Sequence, residues 1–259
     1  MSSWTLATWN VNSIRTRLEQ VLSWLHQNSP EVLCLQETKA REEQFPLQAF
    51  QDSGWHVAQA GQKTYNGVAL ISREPLDDVR AGFPGDPDPS KARVLSGTRC
   101  GVRVITVYVP NGSEVDSPSY EYKLSWLAAL HGWLEQEADP AQPLAILGDF
   151  NIAPDDRDVY DPEKFQGRIL CSDAEREALQ RLTGWGLQDL FRGYQEGGGH
   201  YSWWDYRAGR FRRNLGLRID LILATEALAA RATDCRIDPA PRRLERPSDH
   251  TPVLATFSG

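Results

Sequence analysis

At 259 residues, with 41% hydrophobic residues and nine tryptophans, the chain can fill one large domain or two small ones and build a substantial core. A formal charge of −7 excludes a protein that coats nucleic acid through bulk electrostatics, while leaving open an enzyme with a local basic rim around an acidic, metal-dependent centre. No apolar run approaches the length of a membrane span, and Met-Ser-Ser-Trp-Thr-Leu enters a strand with no basic-then-apolar leader, so a soluble, cytoplasmic protein is expected. The cysteines at 34, 100, 171 and 235 show no C-x-x-C spacing, which predicts buried free thiols in a reducing compartment rather than disulfides or a zinc site.

Taken in order, residues 4–11 predict a strand ending in Asn10-Val11-Asn12-Ser13, with Ser13 as N-cap of a helix to about Gln27 that carries Ile14, Leu18, Val21, Leu22 and Leu25 at helical spacing. A second strand over 31–36 runs into Glu37-Thr38-Lys39, then a short helix over 45–54 and strands over 55–59 and 67–72 follow. Residues 82–91 form a Pro/Gly/Asp-rich surface loop. A strand over 102–109 leads to Pro110-Asn-Gly112, and a helix over 120–137 has Trp126, Leu127, Leu130 and Leu134 on one side. Leu144 to Leu147, between a Pro and a Gly, reads as a short buried strand that ends in Gly148-Asp-Phe-Asn151. Residues 155–167 are acidic and irregular, and Ser-Asp-Ala-Glu at 172–175 is a capping box for a helix to Leu182. After the basic Arg207-Ala-Gly-Arg-Phe-Arg-Arg213, strands are predicted over 218–224, 233–237 and 253–257. There is no repeat and no compositional break. Many short strands without regular βαβ alternation predict two packed sheets flanked by helices, in one domain over residues 1–259.

Several of these strands end in polar residues. Asp149 and Asn151, separated by one residue, are expected on the same face, where a carboxylate beside a carboxamide offers a base or metal oxygen and a donor that orients a water or a phosphate oxygen.

Seven segments in order, Trp9-Asn-Val-Asn12, Leu35-Gln-Glu-Thr-Lys39, Tyr108-Val-Pro-Asn-Gly112, Gly148-Asp-Phe-Asn151, Ser202-Trp-Trp-Asp-Tyr-Arg207, Gly216-Leu-Arg-Ile-Asp220 and Pro247-Ser-Asp-His250, resemble the exonuclease III family of AP endonucleases, within the endonuclease/exonuclease/phosphatase superfamily. The resemblance implies an α/β (α+β) fold, a four-layer α/β-sandwich of two mixed sheets flanked by helices, with the site along one edge. It also implies a hydrolase of double-stranded DNA that cuts 5′ to abasic sites and trims 3′ ends, acting as a monomer with Mg2+, for which Mn2+ can substitute.

Phosphodiester hydrolysis needs an in-line water, neutralisation of the phosphate and help for the departing alkoxide. Mg2+ prefers oxygen ligands and keeps several waters, so Glu37 is the leading ligand, with Asn10 and Asp249 completing or adjoining the site; some family members carry Asp where Asn12 stands. The resemblance pairs His250 with Asp220, which would orient the imidazole and favour its cation for a phosphate oxygen. Asp149 is then the expected general base, with a metal-bound hydroxide as the alternative, and Asn151 orients the water or phosphate. Tyr108 is expected to reach the phosphate or leaving group, and Asn12 and Asn111 to contact phosphate or sugar. Trp203, Leu217 and Ile219 match positions that line a pocket for a flipped abasic sugar, while Trp204 fits core and pocket equally. Arg207, Arg210, Arg212 and Arg213 are expected on backbone phosphates. A non-catalytic binding protein on the same fold would lack several of these polar positions. A relative acting on lipid or inositol phosphates would carry His at 108 and lack the Ser202–Arg207 segment.

Overall fold

The computed structural model describes residues 3–259; Met1 and Ser2, the first two residues of the expected leaderless N-terminus, lie outside the described residues. Two six-stranded mixed sheets pack face to face. One has the order β11-β12-β1-β2-β4-β3, from strands Ala232–Ile237, Val253–Ser258, Ser3–Asn10, Val32–Gln36, Val68–Ser72 and His56–Ala60. The other has the order β5-β6-β7-β8-β10-β9, from Asp77–Ala81, Val94–Arg99, Val102–Tyr108, Leu144–Asp149, Asp220–Thr225 and Leu187–Asp189. Each sheet holds a single parallel pair, β1·β2 and β7·β8, each joined through a helix: α1 (Ile14–Asn28) and α3 (Pro118–Glu137).

The layering follows from the two-residue period of the strands. Leu6, Val32, Cys34, Val104, Ala145, Leu147, Ile222, Ala224 and Val253 fill the slab between the sheets. Their neighbours face outward: Ala7, Trp9, Leu33 and Leu35 meet Val21, Trp24 and Leu25 of α1 and Phe50 of α2 (Leu47–Asp52). On the other side Ile105, Val107, Ile146 and Leu221 meet Trp126, Leu130 and Leu134 of α3 and Leu179 and Leu182 of α5 (Asp173–Gly184). Helix, sheet, sheet, helix is the four-layer sandwich that the motifs implied. No helix is long and apolar enough to cross a membrane among the described residues.

Four local features depart from the sequence expectations. Ser13 occupies the N-cap position of α1 but makes no side-chain cap; the amides of Ser13 and Ile14 donate to the carbonyls of Glu37 and Thr38 (2.8 and 3.1 Å), tying α1 to the end of β2. The predicted capping box at Ser172 and Glu175 is present. Strands β5, β6 and β9 were not anticipated; every residue of β5 is exposed, and Val79 and Ala81 are its only apolar residues. The irregular acidic stretch contains a 3-10 turn at Asp156–Asp158 and a helical turn, α4, at Pro162–Phe165. Cys34, Cys171 and Cys235 are buried free thiols, whereas Cys100 is exposed, because it sits with φ 51° in the tight β6–β7 turn.

Candidate active site at the strand ends

The inward-facing rows change chemistry toward one edge of the sandwich. Leu6 is followed by Thr8 and Asn10, Val32 and Cys34 by Gln36, Val104 by Thr106 and Tyr108, and Ala145 and Leu147 by Asp149. Below the site, Thr8 donates to Gln36 Oε1 (3.2 Å) and Gln36 Nε2 donates to Thr106 Oγ1 (2.9 Å), a buried polar bridge that locks one sheet to the other. Above it, Asn10 on β1 donates to Glu37 Oε1 and to Asp149 Oδ2, each at 2.9 Å. Strand β10 pairs with β8 so that Asp220 stands opposite Asp149. The site is therefore a joint product of the two sheets.

Gly148 makes this approach possible. It has φ 155°, and a Cβ there would sit 1.9 Å from the Val107 carbonyl of the adjoining parallel strand. Glu37, Lys39, Asn12 and Asn151 all adopt left-handed backbone (φ 50°, 51°, 45° and 51°), a conformation costing about 1–2 kcal/mol for residues such as Glu and Lys. Such strain persists where surrounding contacts over-determine it; here the amides of Thr38 and Lys39 donate to Gly67 and Asn66 carbonyls (3.1 and 2.9 Å).

At the centre, His250 Nδ1 lies 2.8 Å from Asp220 Oδ2, and its Nε2 faces Asp149 Oδ2 at 3.7 Å. Burial works against the imidazolium, but Asp220 and Asp149 outweigh it and lift the His250 pKa to about 10. Burial pushes the Asp149 carboxyl up to about 7, with Asp220 and Glu37 adding to the rise and His250 and Asn10 opposing it. Burial also disfavours the Glu37 carboxylate, yet Lys39, 2.7 Å from Oε2, and the Asn10 amide hold its pKa below the ordinary value. Tyr108 sits beside Glu37 and Asp149, and burial followed by those two charges pushes its hydroxyl upward, so it stays a donor. Asn151 donates its backbone amide to Asp149 Oδ1 (2.9 Å), and its side chain donates to the Val109 carbonyl and accepts from Asn111 Nδ2 (both 3.0 Å).

Ligand atoms of Glu37, Asp149 and His250 lie within 4.8 Å of one another. An imidazolium cannot ligate, so the donors suited to a hard cation are the Glu37 and Asp149 oxygens. Three carboxylates, Glu37, Asp149 and Asp220, face the cations His250 and Lys39, and Asp220 Oδ1 is buried without a partner among the described residues. That surplus of negative charge and oxygen donors fits a divalent cation.

Two expected ligands are arranged differently. Asn10 turns its amide nitrogen to the carboxylates while its Oδ1 accepts from the Asn12 amide (3.0 Å), so it clamps the acids together rather than offering an oxygen. Asp249 lies outside the cluster: its Oδ1 accepts from Asn12 Nδ2 (2.9 Å) and its Oδ2 from Trp203 Nε1 (3.0 Å). Asn12 in turn accepts from Lys39 Nζ (2.6 Å), so its amide is committed inside the site.

The rim also departs from expectation. Trp203 is half-buried at the site's edge, bridged to Leu217 and His250, while Trp204 is core, donating to Asn214 and packed on Phe211. Leu217 and Ile219, expected as walls for a sugar, are 0% and 2% exposed and pack with Ala153, Val159 and Leu170; they form the floor beneath Trp203. Arg207 is ion-paired to Asp205 (2.7 Å), which spends its charge locally. Arg210 stacks over Tyr160, and Arg212 and Arg213 are exposed.

Sequence reasoning missed several supports. Lys39 closes the Leu35–Lys39 motif two residues beyond Glu37, and that spacing is the signal that could have found it. Ser202 Oγ accepts from the amides of Ile219 and Asp220 (3.1 and 3.0 Å), and Ser248 Oγ donates to the Asn10 carbonyl (2.7 Å). Arg218, fully buried, pairs with Asp158 and Asp189, fixing the start of β10. No sequence spacing announces these partners.

This fold and site define a member of the endonuclease/exonuclease/phosphatase family, and the chain belongs to that family, whose model matches residues 7–250. It is 37% identical to exodeoxyribonuclease III of Haemophilus influenzae over 96% of this chain and 98% of that one. Among solved structures it is similar to a Neisseria 3′ phosphatase bound to a product DNA hairpin (48% identity, TM-score 0.95, covering 99% of this chain and 100% of that chain). It is also similar to an AP endonuclease from Archaeoglobus fulgidus (40% identity, TM-score 0.96, covering 99% and 100%).

Proposed function

We propose that the protein is a Mg2+-dependent DNA repair phosphodiesterase that nicks double-stranded DNA 5′ to abasic sites and trims 3′ ends, including 3′-phosphates. The observation that carries this reading is the Asp220–His250–Asp149 row beside Glu37, four polar side chains brought from both sheets to one buried edge. The likeness to an AP endonuclease and to a 3′ phosphatase supports the two halves of the activity.

When bound, a divalent cation held chiefly by Glu37 would neutralise charge on the phosphate and leave Asp149 to act as the base. Asp220 holds His250 Nδ1, which keeps the ring charged and directs its Nε2–H toward a phosphate oxygen. Asp149, poised near 7, takes the proton of the attacking water. Asn151 and Asn111 orient that water and the phosphate, and Tyr108 keeps its proton as a donor toward the leaving oxygen. Trp203 offers a face for the sugar, and Arg210, Arg212 and Arg213 supply positive charge for the phosphate backbone. Residues 1–259 act as one catalytic unit and as a monomer.

The test is a gel assay on two labelled duplexes, one with a central abasic-site analogue and one intact with a recessed 3′ end, each with Mg2+ or EDTA. Mg2+-dependent nicking of the first and shortening of the second are expected, both lost in His250→Ala. A folded protein that cleaves neither duplex contradicts the reading.

A further inference from the structure

Lys123 on α3 lies within the fold with 0% exposure, where an ammonium is rare. Its three donors are all used. Nζ donates to the Asn151 carbonyl (2.6 Å), to the Asn111 carbonyl (3.1 Å) and to Glu175 Oε1. Glu175 is equally buried, and its carboxylate also accepts from the amides of Leu170 and Ser172 (3.1 and 3.0 Å), so it is fixed at the first turn of α5. The ammonium thus joins the loop after β7, which carries Asn111, to the loop after β8, which carries Asn151 in left-handed backbone. Those two side chains are also bonded to each other, Asn111 Nδ2 to Asn151 Oδ1 at 3.0 Å. Packing is close: a Cβ at Gly112 would meet Lys123 Cδ at 3.1 Å.

A buried ion pair is weak support for stability, since apolar replacements of both partners are often neutral. An ion pair that spends two of its three donors on the carbonyls of two site residues has a different use. We propose that the Lys123–Glu175 pair is a positioning device for the Asn111–Asn151 amide couple, holding the two strand-end loops at the spacing that phosphate requires; the proposal rests on the nuclease reading above. Neither residue touches substrate. Both act through the backbone of Asn111 and Asn151.

The test compares Glu175→Gln, which can keep the capping box, with Lys123→Met/Glu175→Gln, which removes both charges and leaves no unpaired buried ion. On the abasic duplex the double variant is expected to lose about 100-fold in kcat, the scale of a one-ångström misplacement, with KM unchanged, and Glu175→Gln a smaller part of that loss. In an Asn151→Ala background both variants should cost little more, because the group they position is gone. Wild-type kcat in folded Glu175→Gln and in the folded double variant overturns the proposal, as do losses that simply add to that of Asn151→Ala. The side-chain amide 1H–15N resonances of Asn111 and Asn151 give a second readout, independent of turnover. They should move together in either variant, and unmoved resonances refute the device even if the wild type cleaves neither duplex.

Discussion

The catalytic edge and the arginine loop are adjacent, yet they are built on opposite principles. At the edge, Asp149, Asp220 and His250 are almost wholly buried, each with a directed partner, and the two acids of one sheet meet Glu37 and His250 of the other, which a Thr8–Gln36–Thr106 bridge holds in place. In the loop, Arg212 and Arg213 are exposed, and Arg207 spends its charge on Asp205. The low-dielectric edge makes each charge strong and each misplacement expensive, whereas exposed loop charges are screened by salt. Burial thus fixes the groups at the edge, while the arginines of the loop stand in solvent.

If that contrast is right, single substitutions should fall on a steep scale. The largest effects belong to the edge: Asp149→Asn and His250→Ala should each lower kcat by about 10²–10⁴-fold, measured in single-turnover cleavage of the abasic duplex. Arg218→Met comes next, through stability. It leaves part-buried Asp189 without its cation and buried Asp158 with Arg192 alone, and should cost about 3 kcal/mol of unfolding free energy, read from denaturant melts. Glu37→Ala should raise the Mg2+ concentration for half-maximal rate by about 10–100-fold, with partial recovery at high Mg2+; an unchanged Mg2+ requirement would remove Glu37 from the site. The smallest effect is expected from replacing Arg210, Arg212 and Arg213 with Gln. Binding should weaken and its salt slope should flatten by about 0.9 for each phosphate no longer neutralised, and an unchanged slope would make the loop a solvated surface.

The pH behaviour separates the two regions as well. Activity needs Asp149 ionised and His250 charged, so the rate of the metal-limited enzyme should rise through about 7 and fall through about 10, as limbs that belong to the coupled pair. The stability sign is fixed by the same shifts. The His250 pKa is raised above its unfolded value, so its contribution is complete below about 6.5 and is lost as pH climbs through about 10.

Much of the edge was legible because the strands are short apolar runs with abrupt polar ends, so Asn10, Glu37, Asp149 and Asp220 could be placed at strand termini by alternation and motif. What alternation cannot report is which termini meet. Asp220 stands opposite Asp149 only because β10 pairs antiparallel to β8, and Asn10 reaches Asp149 only because the sheets face each other. Leu217 and Ile219 read as pocket walls from the motif, but burial by Ala153, Val159 and Leu170 makes them a floor. Edge strand β5 left only the weak signal of Val79 and Ala81, and Lys123 read as one more polar residue on a helix because its partner lies 52 positions away.

The central claim is that His250 is held as a cation between Asp220 and Asp149. A 15N NMR titration of the His250 ring in the metal-free protein tests it most directly. An imidazolium that persists through neutral pH and loses its proton only near 10, with the Nδ1–H downfield in its bond to Asp220, is the predicted result. A ring that is neutral at about pH 7, as an unperturbed imidazole would largely be, would contradict the account, and with it the assignment of His250 as the donor to the phosphate.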